Sequence, residues 1–210
     1  MTTVAVIDYG MGNLRSVCKA IEHVAPSVRV ILTATAADIA RADRVVFPGQ
    51  GAIGGCMTAL ARDGLLEAVT AAVRNKPFLG ICLGLQALYE RSEEGGGTAC
   101  LNVLPGGVKR FNLADRTLKV PHMGWSPVHQ QRAHPLWKGI EQDARFYFVH
   151  SYYADSREPR DAVGTTEYGL RFTSAAARDN IFAVQFHPEK SARSGLRLLE
   201  NFVSWNGNDH

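Results

Sequence analysis

No stretch of this 210-residue chain is apolar for long enough to span a bilayer. Its opening residues, Met1-Thr2-Thr3-Val4-Ala5-Val6, lack the basic start and small-residue cleavage site of a secretory signal, so a cytoplasmic protein without membrane contact is expected. Cysteine is scarce: Cys18, Cys56, Cys82 and Cys100 form no CxxC pair and have no histidines at zinc-ligand spacing. That argues against a metal site, and the thiols are expected to be reduced. A basic block is also missing. The 23 Lys and Arg are interspersed with 20 Asp and Glu, giving a net charge of +3 and no argument for nucleic acid. Neither an internal repeat nor a linker divides the chain, and residues 1–210 are expected to form a single domain.

What is present is an alternation of short apolar runs and amphipathic stretches. Thr3 to Asp8, Val28 to Leu32, Arg44 to Phe47 and Pro77 to Ile81 are of strand length. Between them lie helical patterns: Leu14, Val17, Ile21 and Val24 with Asn13 as the cap, a short helix capped by Thr35 and running through Ala40, and Leu65 to Arg74. A helix is expected from Leu83 to Glu90. Gly10 and Gly12 open a dinucleotide-like fingerprint, but Arg15 stands where a third glycine belongs. Beyond Gly95-Gly96-Gly97 the pattern changes to short strands at Val108 to Phe111, Arg145 to Val149, Ala162 to Glu167, Arg171 to Ser174 and Ile181 to Phe186. A last helix, Ser191 to Trp205, would turn Leu196, Leu199 and Val203 inward, and Asn206 to His210 form a polar tail. The expected fold is α/β, a mostly parallel central sheet flanked by helices with added antiparallel strands.

Two stretches carry chemistry. Gly80-Ile81-Cys82-Leu83-Gly84 has the spacing of a nucleophile elbow at a strand-to-helix turn, with cysteine as the nucleophile. A small packed cysteine in a glycine-rich turn would show the same pattern. Among the seven histidines, His187 leaves a strand at the presumed active edge, Pro188 fixes the turn, and Glu189 is placed to orient the ring. Cys82, His187 and Glu189 would then be nucleophile, base and orienter. Donors for an oxyanion would come from the backbone N–H of Leu83 and from the loop Pro48-Gly49-Gln50-Gly51, while Gln86 would hold a polar substrate.

Gly80 to Gln86 together with Gln185-Phe186-His187-Pro188-Glu189 resembles the class I, triad, glutamine amidotransferases, of flavodoxin-like fold. Asp8-Tyr9-Gly10-Met11-Gly12-Asn13-Leu14, Pro121-His122-Met123-Gly124-Trp125, His150-Ser151-Tyr152 and Lys190-Ser191 are similar to the glutaminase subunits of imidazole glycerol phosphate synthases. The resemblance implies glutamine hydrolysis through a Cys82 thioester, with His187 and Glu189 as catalytic partners and Gly49, Gln50 and Leu83 around the oxyanion. It implies that Gly51, Gln86, Ser151 and Tyr152 hold glutamine. It also implies a heterodimer with a (β/α)8-barrel cyclase, reached through Asn13, Met123, Trp125 and Lys190, which receives the ammonia and serves histidine biosynthesis. No metal or organic cofactor is implied. Members of the family often carry valine at the position of Gln50, a change expected to affect how readily that peptide turns.

Overall fold

A computed structural model describes residues 1–208; the last two residues of the expected polar tail lie outside them. In chain order the elements are β1 Thr3–Ile7, α1 Leu14–Val24, β2 Arg29–Thr33, α2 Ala36–Arg41, β3 Arg44–Gly49, α3 Ile53–Arg62, α4 Leu65–Asn75, β4 Phe78–Cys82 and α5 Leu83–Gln86. There follow β5 Arg91–Ser92, β6 Thr98–Ala99, β7 Gly106–Arg110, β8 His122–Pro127, β9 His129–Gln130, β10 Arg145–His150, β11 Tyr152–Ser156, β12 Ala162–Glu167, β13 Arg171–Arg178, β14 Ile181–Val184 and α6 Ala192–Ser204.

Strands β2, β1, β3, β4 and β14 lie side by side and parallel. Antiparallel β13, β11 and β7 extend the sheet, and β8 and β10 pair separately. Strands β1, β3, β4 and β14 are covered on both faces, which is why they read as continuous apolar runs, while the edge strand β2 leaves Leu32 exposed. Side chains alternate between the two faces. Val4, Val6, Val46, Leu79, Ile81, Phe182 and Val184 meet α1 and α6 on one side. Ile7, Val45, Phe47, Phe78, Ile181 and Ala183 meet α2, α3 and α4 on the other. Each large side chain buried in these layers contributes about 1.5–3 kcal/mol to the fold.

The elements differ from the expected pattern in three places. First, α5 is a single turn rather than a helix reaching Glu90. After it the N–H groups of Leu88 and Tyr89 bond only three residues back, to Leu85 at 3.1 Å and Gln86 at 3.3 Å, and the carbonyls needed to continue are taken by a later segment: Ala87 by Leu101 at 2.9 Å, Leu88 by Val103 and Leu104 at 2.8 Å, and Tyr89 by Asn102 at 2.9 Å. Tertiary hydrogen bonds thus replace helical ones. Second, α3 occupies a stretch whose Gly54 and Gly55 mask a buried stripe of Ile53, Cys56, Ala59 and Leu60. Its first N–H is capped from afar, by Glu94 Oε2 on Ile53 N at 2.8 Å. Third, α6 buries Gly195, Leu198, Leu199 and Phe202, whereas Leu196 and Val203 are only half-buried. A Cβ on Gly195 would lie 2.0 Å from the Pro188 carbonyl oxygen, so the close approach of that turn fixes the rotation of the helix.

Asn13 stands at the N-cap of α1 but makes no capping bond, whereas Thr35 caps α2 by accepting from Asp38 N at 3.3 Å. Among the described residues no helix is long and apolar enough to cross a membrane.

Candidate active site

Cys82 ends β4, an interior strand between β3 and β14, with φ 55° and ψ −104°. A non-glycine residue held at such angles stores about 1–3 kcal/mol of backbone strain, which its surroundings must hold in place. The flanking glycines are that hold. A Cβ on Gly84 would sit 1.8 Å from the Phe47 carbonyl oxygen of β3, and one on Gly80 would sit 2.8 Å from the Gly84 oxygen. Only glycine lets strand and turn fold back this closely. With α5 one turn long, the positive end it offers Cys82 is the local set of unpaired N–H groups, led by that of Leu83, rather than a long helix dipole.

The parallel neighbours bring the other groups to the same edge. Gly49 lies in register with Cys82, and the following residues Gln50 and Gly51 line one side of a pocket of about 440 Å³. Gly51 takes φ 98°, a backbone shape suited to glycine. Gly49 is equally constrained: a Cβ there would meet the Tyr9 hydroxyl at 2.0 Å. Gly12, at φ 105°, lies against the Gln50 amide, so the loop after β1 braces the loop after β3. The remaining pocket wall includes Cys82, Leu83, Gln86, Glu94, Ser151, Tyr152 and Lys190.

Strand β14 supplies the base. His187 follows it by three residues and is anchored by its N–H on the Tyr147 carbonyl at 2.9 Å and by Ser191 Oγ donating to its carbonyl at 2.6 Å. Its Nδ1 meets Glu189 Oε1 at 2.9 Å, with both side chains 2% exposed. The buried Nε2 has no partner in hydrogen-bond geometry among the described residues. Its electrostatic partner is the Cys82 sulfur. Burial disfavours charge on this ring, but the sulfur and the Glu189 carboxylate outweigh it and push His187 up to about 10. An imidazolium beside a sulfur is the arrangement that stabilises a thiolate nucleophile. The other thiols are pushed the opposite way by burial, Cys18 and Cys100 to about 11 and Cys56 to about 12.

Gln86 is buried, not a surface glutamine. Its Nε2 donates to the Tyr152 carbonyl at 3.0 Å and to Gln185 Oε1 at 3.0 Å, which leaves its own oxygen for anything in the pocket. Glu94 escaped the sequence reading because its neighbours are a bare glycine run. Only the fold shows that this run carries a carboxylate back to the pocket and to the start of α3.

The expected partner-facing residues lie on the same side of the molecule as the triad. Met123 and Trp125 alternate along β8 and are 61% and 46% exposed, large apolar side chains left open to solvent. Trp125 packs edge-on against Tyr147, whose backbone is bonded to His187 and Ser191. Asn13 is exposed and lines a narrow crevice with Gly49, Gln50, His187 and Glu189. Lys190 is exposed as well. Among the described residues no cluster of side chains fits a metal ion.

Residues 5–205 match the family model for the class-I glutamine amidotransferases. The chain is 58% identical to imidazole glycerol phosphate synthase subunit HisH of Thiobacillus denitrificans, covering 99% of this chain and 93% of that protein. Identity is 59% with the subunit HisH of Nitrosococcus oceani, covering 99% of both. Solved structures share the fold at lower identity. A crystal structure of a glutamine amidotransferase superposes with TM-score 0.72 at 15% identity, covering 96% of this chain and 97% of that one. PurLQS from Thermotoga maritima gives 0.72 at 17%, covering 97% and 98%. A cysteine elbow, a buried histidine–carboxylate pair at its side, and near full-length identity to curated relatives place the chain together: it belongs to the class-I glutamine amidotransferases, among the HisH subunits of imidazole glycerol phosphate synthase.

Proposed function

We propose that this chain, acting as one domain, hydrolyses glutamine at Cys82 and hands the ammonia to a cyclase partner that makes imidazole glycerol phosphate and an aminoimidazole carboxamide ribotide for histidine biosynthesis. The observation that carries the reading is the strained Cys82 beside the buried His187–Glu189 pair, at the edge of a pocket large enough for an amino acid.

In the reaction the Cys82 sulfur attacks the side-chain carbonyl carbon of glutamine. His187 Nε2, facing the sulfur and otherwise unpartnered, takes the thiol proton and returns it to the departing ammonia, while Glu189 holds the ring through Nδ1. The carbonyl oxygen becomes an oxyanion, for which the Leu83 N–H and the Gln50 N–H of the Gly49–Gln50 loop are the donors. Water then cleaves the thioester with His187 as base, releasing glutamate. Gly51, Ser151 and Tyr152 line the wall along the substrate backbone, and the free oxygen of Gln86 and the Glu94 carboxylate suit its α-ammonium group. The crevice from His187 and Glu189 to Asn13 is too narrow for an amino acid and suits a molecule as small as ammonia.

The partner is a (β/α)8-barrel cyclase, seated over Asn13, Met123, Trp125 and Lys190 as a heterodimer. The test is glutamate release by the chain alone, with a cyclase, and with cyclase plus its nucleotide substrate. Little turnover alone and a large rise with both are expected; equal turnover in all three would count against the coupled pair. Cys82→Ala should abolish glutamine-dependent synthesis, while the complex still works with ammonium salt. If that variant keeps its glutaminase activity, Cys82 is not the nucleophile.

A further inference from the structure

A chain of buried hydrogen bonds ends on the Cys82 sulfur, and its direction follows from one backbone carbonyl. The oxygen of Tyr152 can only accept. It receives Gln86 Nε2 at 3.0 Å on one side and His150 Nδ1 at 2.7 Å on the other, which fills both lone pairs. The group of Gln86 facing it is therefore the amide nitrogen. That same nitrogen also faces Gln185 at 3.0 Å, so the Gln185 atom it meets must be the oxygen. The other end of the Gln185 amide is then a nitrogen, and it lies 3.6 Å from Cys82 Sγ. Turning Gln86 over would set acceptor against acceptor at Tyr152, and turning Gln185 over would set donor against donor at Gln86.

The histidine arm of the same carbonyl is equally fixed. With Nδ1 donating, the neutral His150 ring accepts at Nε2 from His122 Nδ1 at 3.0 Å, and His122 Nε2 accepts from Ser126 Oγ at 2.9 Å. Both rings are buried among Phe111, Phe148, Tyr168 and Phe172. Burial pushes His122 down to about 4 and His150 down to about 3, so each keeps one donor and one acceptor at neutral pH. The arrangement therefore does not reverse under ordinary conditions.

Gln185 is fully buried, one residue past β14 and two before His187. No part of the reaction as derived uses it. We propose that Gln185 is a positioning residue for the nucleophile: its amide N–H, pointed by the Tyr152 carbonyl through Gln86, holds the Cys82 sulfur in place and favours its ionised form. A sulfur is a weak acceptor as a thiol and a much better one as a thiolate, so a donor locked toward it selects the thiolate. What the sulfur then attacks rests on the glutaminase reading; the hydrogen bond does not.

The test is alkylation of Cys82 by iodoacetamide in the full chain, followed peptide by peptide by mass spectrometry as a function of pH. Burial holds the other three thiols in their protonated form, so Cys82 is expected to dominate the signal. Gln185→Met keeps the volume and removes the donor. It should slow Cys82 alkylation near neutral pH by roughly tenfold and move the midpoint of the pH profile upward. Gln185→Glu turns an acceptor toward the sulfur and should slow it further. Gln86→Met leaves Gln185 in place but frees its amide to rotate, and an intermediate upward shift is expected. Near-UV circular dichroism identifies which variants are folded. A folded variant of any of the three whose alkylation profile superimposes on that of the unsubstituted chain overturns the proposal, because a purely structural role would change stability and not the midpoint. An unsubstituted complex that alkylates as described yet releases no glutamate would sink the glutaminase reading alone.

Discussion

The ring of His187 carries opposed influences that can be separated by substitution. Burial works against its charge, and the Cys82 sulfur heads the influences that raise it to about 10, ahead of Glu189. Cys82→Ala should therefore lower the His187 titration midpoint clearly, as read from its imidazole resonances by NMR, even though Glu189 remains. An unchanged midpoint would mean that the sulfur does not face the ring. The same shift has a consequence for stability. A histidine raised from about 6.5 in the unfolded chain binds its proton more tightly when folded. Its contribution is fully present below about 6.5 and is lost as pH rises toward about 10. Cys82→Ala should flatten this alkaline decline in thermal unfolding. At this scale Cys82, His187 and Glu189 were legible because each announces itself locally, by glycine spacing or by a proline-fixed turn. Glu94, Gly12 and the polarity of Gln185 were not. Their meaning lies in contacts between residues 38 or more apart in sequence, such as Gly12 with Gln50, Ile53 with Glu94, and Cys82 with Gln185.

Among the elements, the turn from β4 into α5 depends most on the absence of side chains. A single methyl at Gly84 would collide with a carbonyl of β3 that cannot move without disturbing the central sheet. Gly84→Ala is expected to destabilise the chain by about 3 kcal/mol, the upper part of the range for overpacking, and to reduce glutaminase activity in whatever fraction folds. Denaturant unfolding would measure it, and a variant of unchanged stability would show that strand and turn separate more easily than this packing implies. Strands β1, β3, β4 and β14 of the parallel half were readable because full burial makes them continuous apolar runs. The single turn of α5 was not, since the sequence Leu83 to Glu90 has helical character, whereas in the fold the ladder tightens to bonds three residues apart after Gln86 and residues 101–104 take the carbonyls beyond it. Strands β8 and β11 escaped for a related reason. Both carry aromatic residues that suit a strand, but glycine and proline in the first and a charged, alanine-containing end in the second break any alternation.

For the molecule as a whole, the triad and the open apolar pair on β8 lie on one side, joined by the Trp125–Tyr147 contact and the backbone of His187. The family resemblance pointed to this face; the composition of the chain did not, because two exposed apolar residues do not change a total. If the face seats the cyclase, Met123→Ala should leave folding stability within about 0.5 kcal/mol, since its side chain is mostly in water and touches little that it could release. Binding should respond differently. Trp125 is the kind of large aromatic that anchors interfaces, and its removal should weaken association by about thirtyfold or more, with Met123→Ala weakening it less. Isothermal titration with the cyclase would read both. The sharper discriminator is activity at saturating partner. Trp125 also steadies Tyr147, whose carbonyl holds the His187 N–H, so Trp125→Ala should lower turnover even when the complex is fully formed, whereas Met123→Ala should not. Equal losses for the two variants that vanish at saturation would make the face a docking surface alone, with no bearing on the histidine behind it.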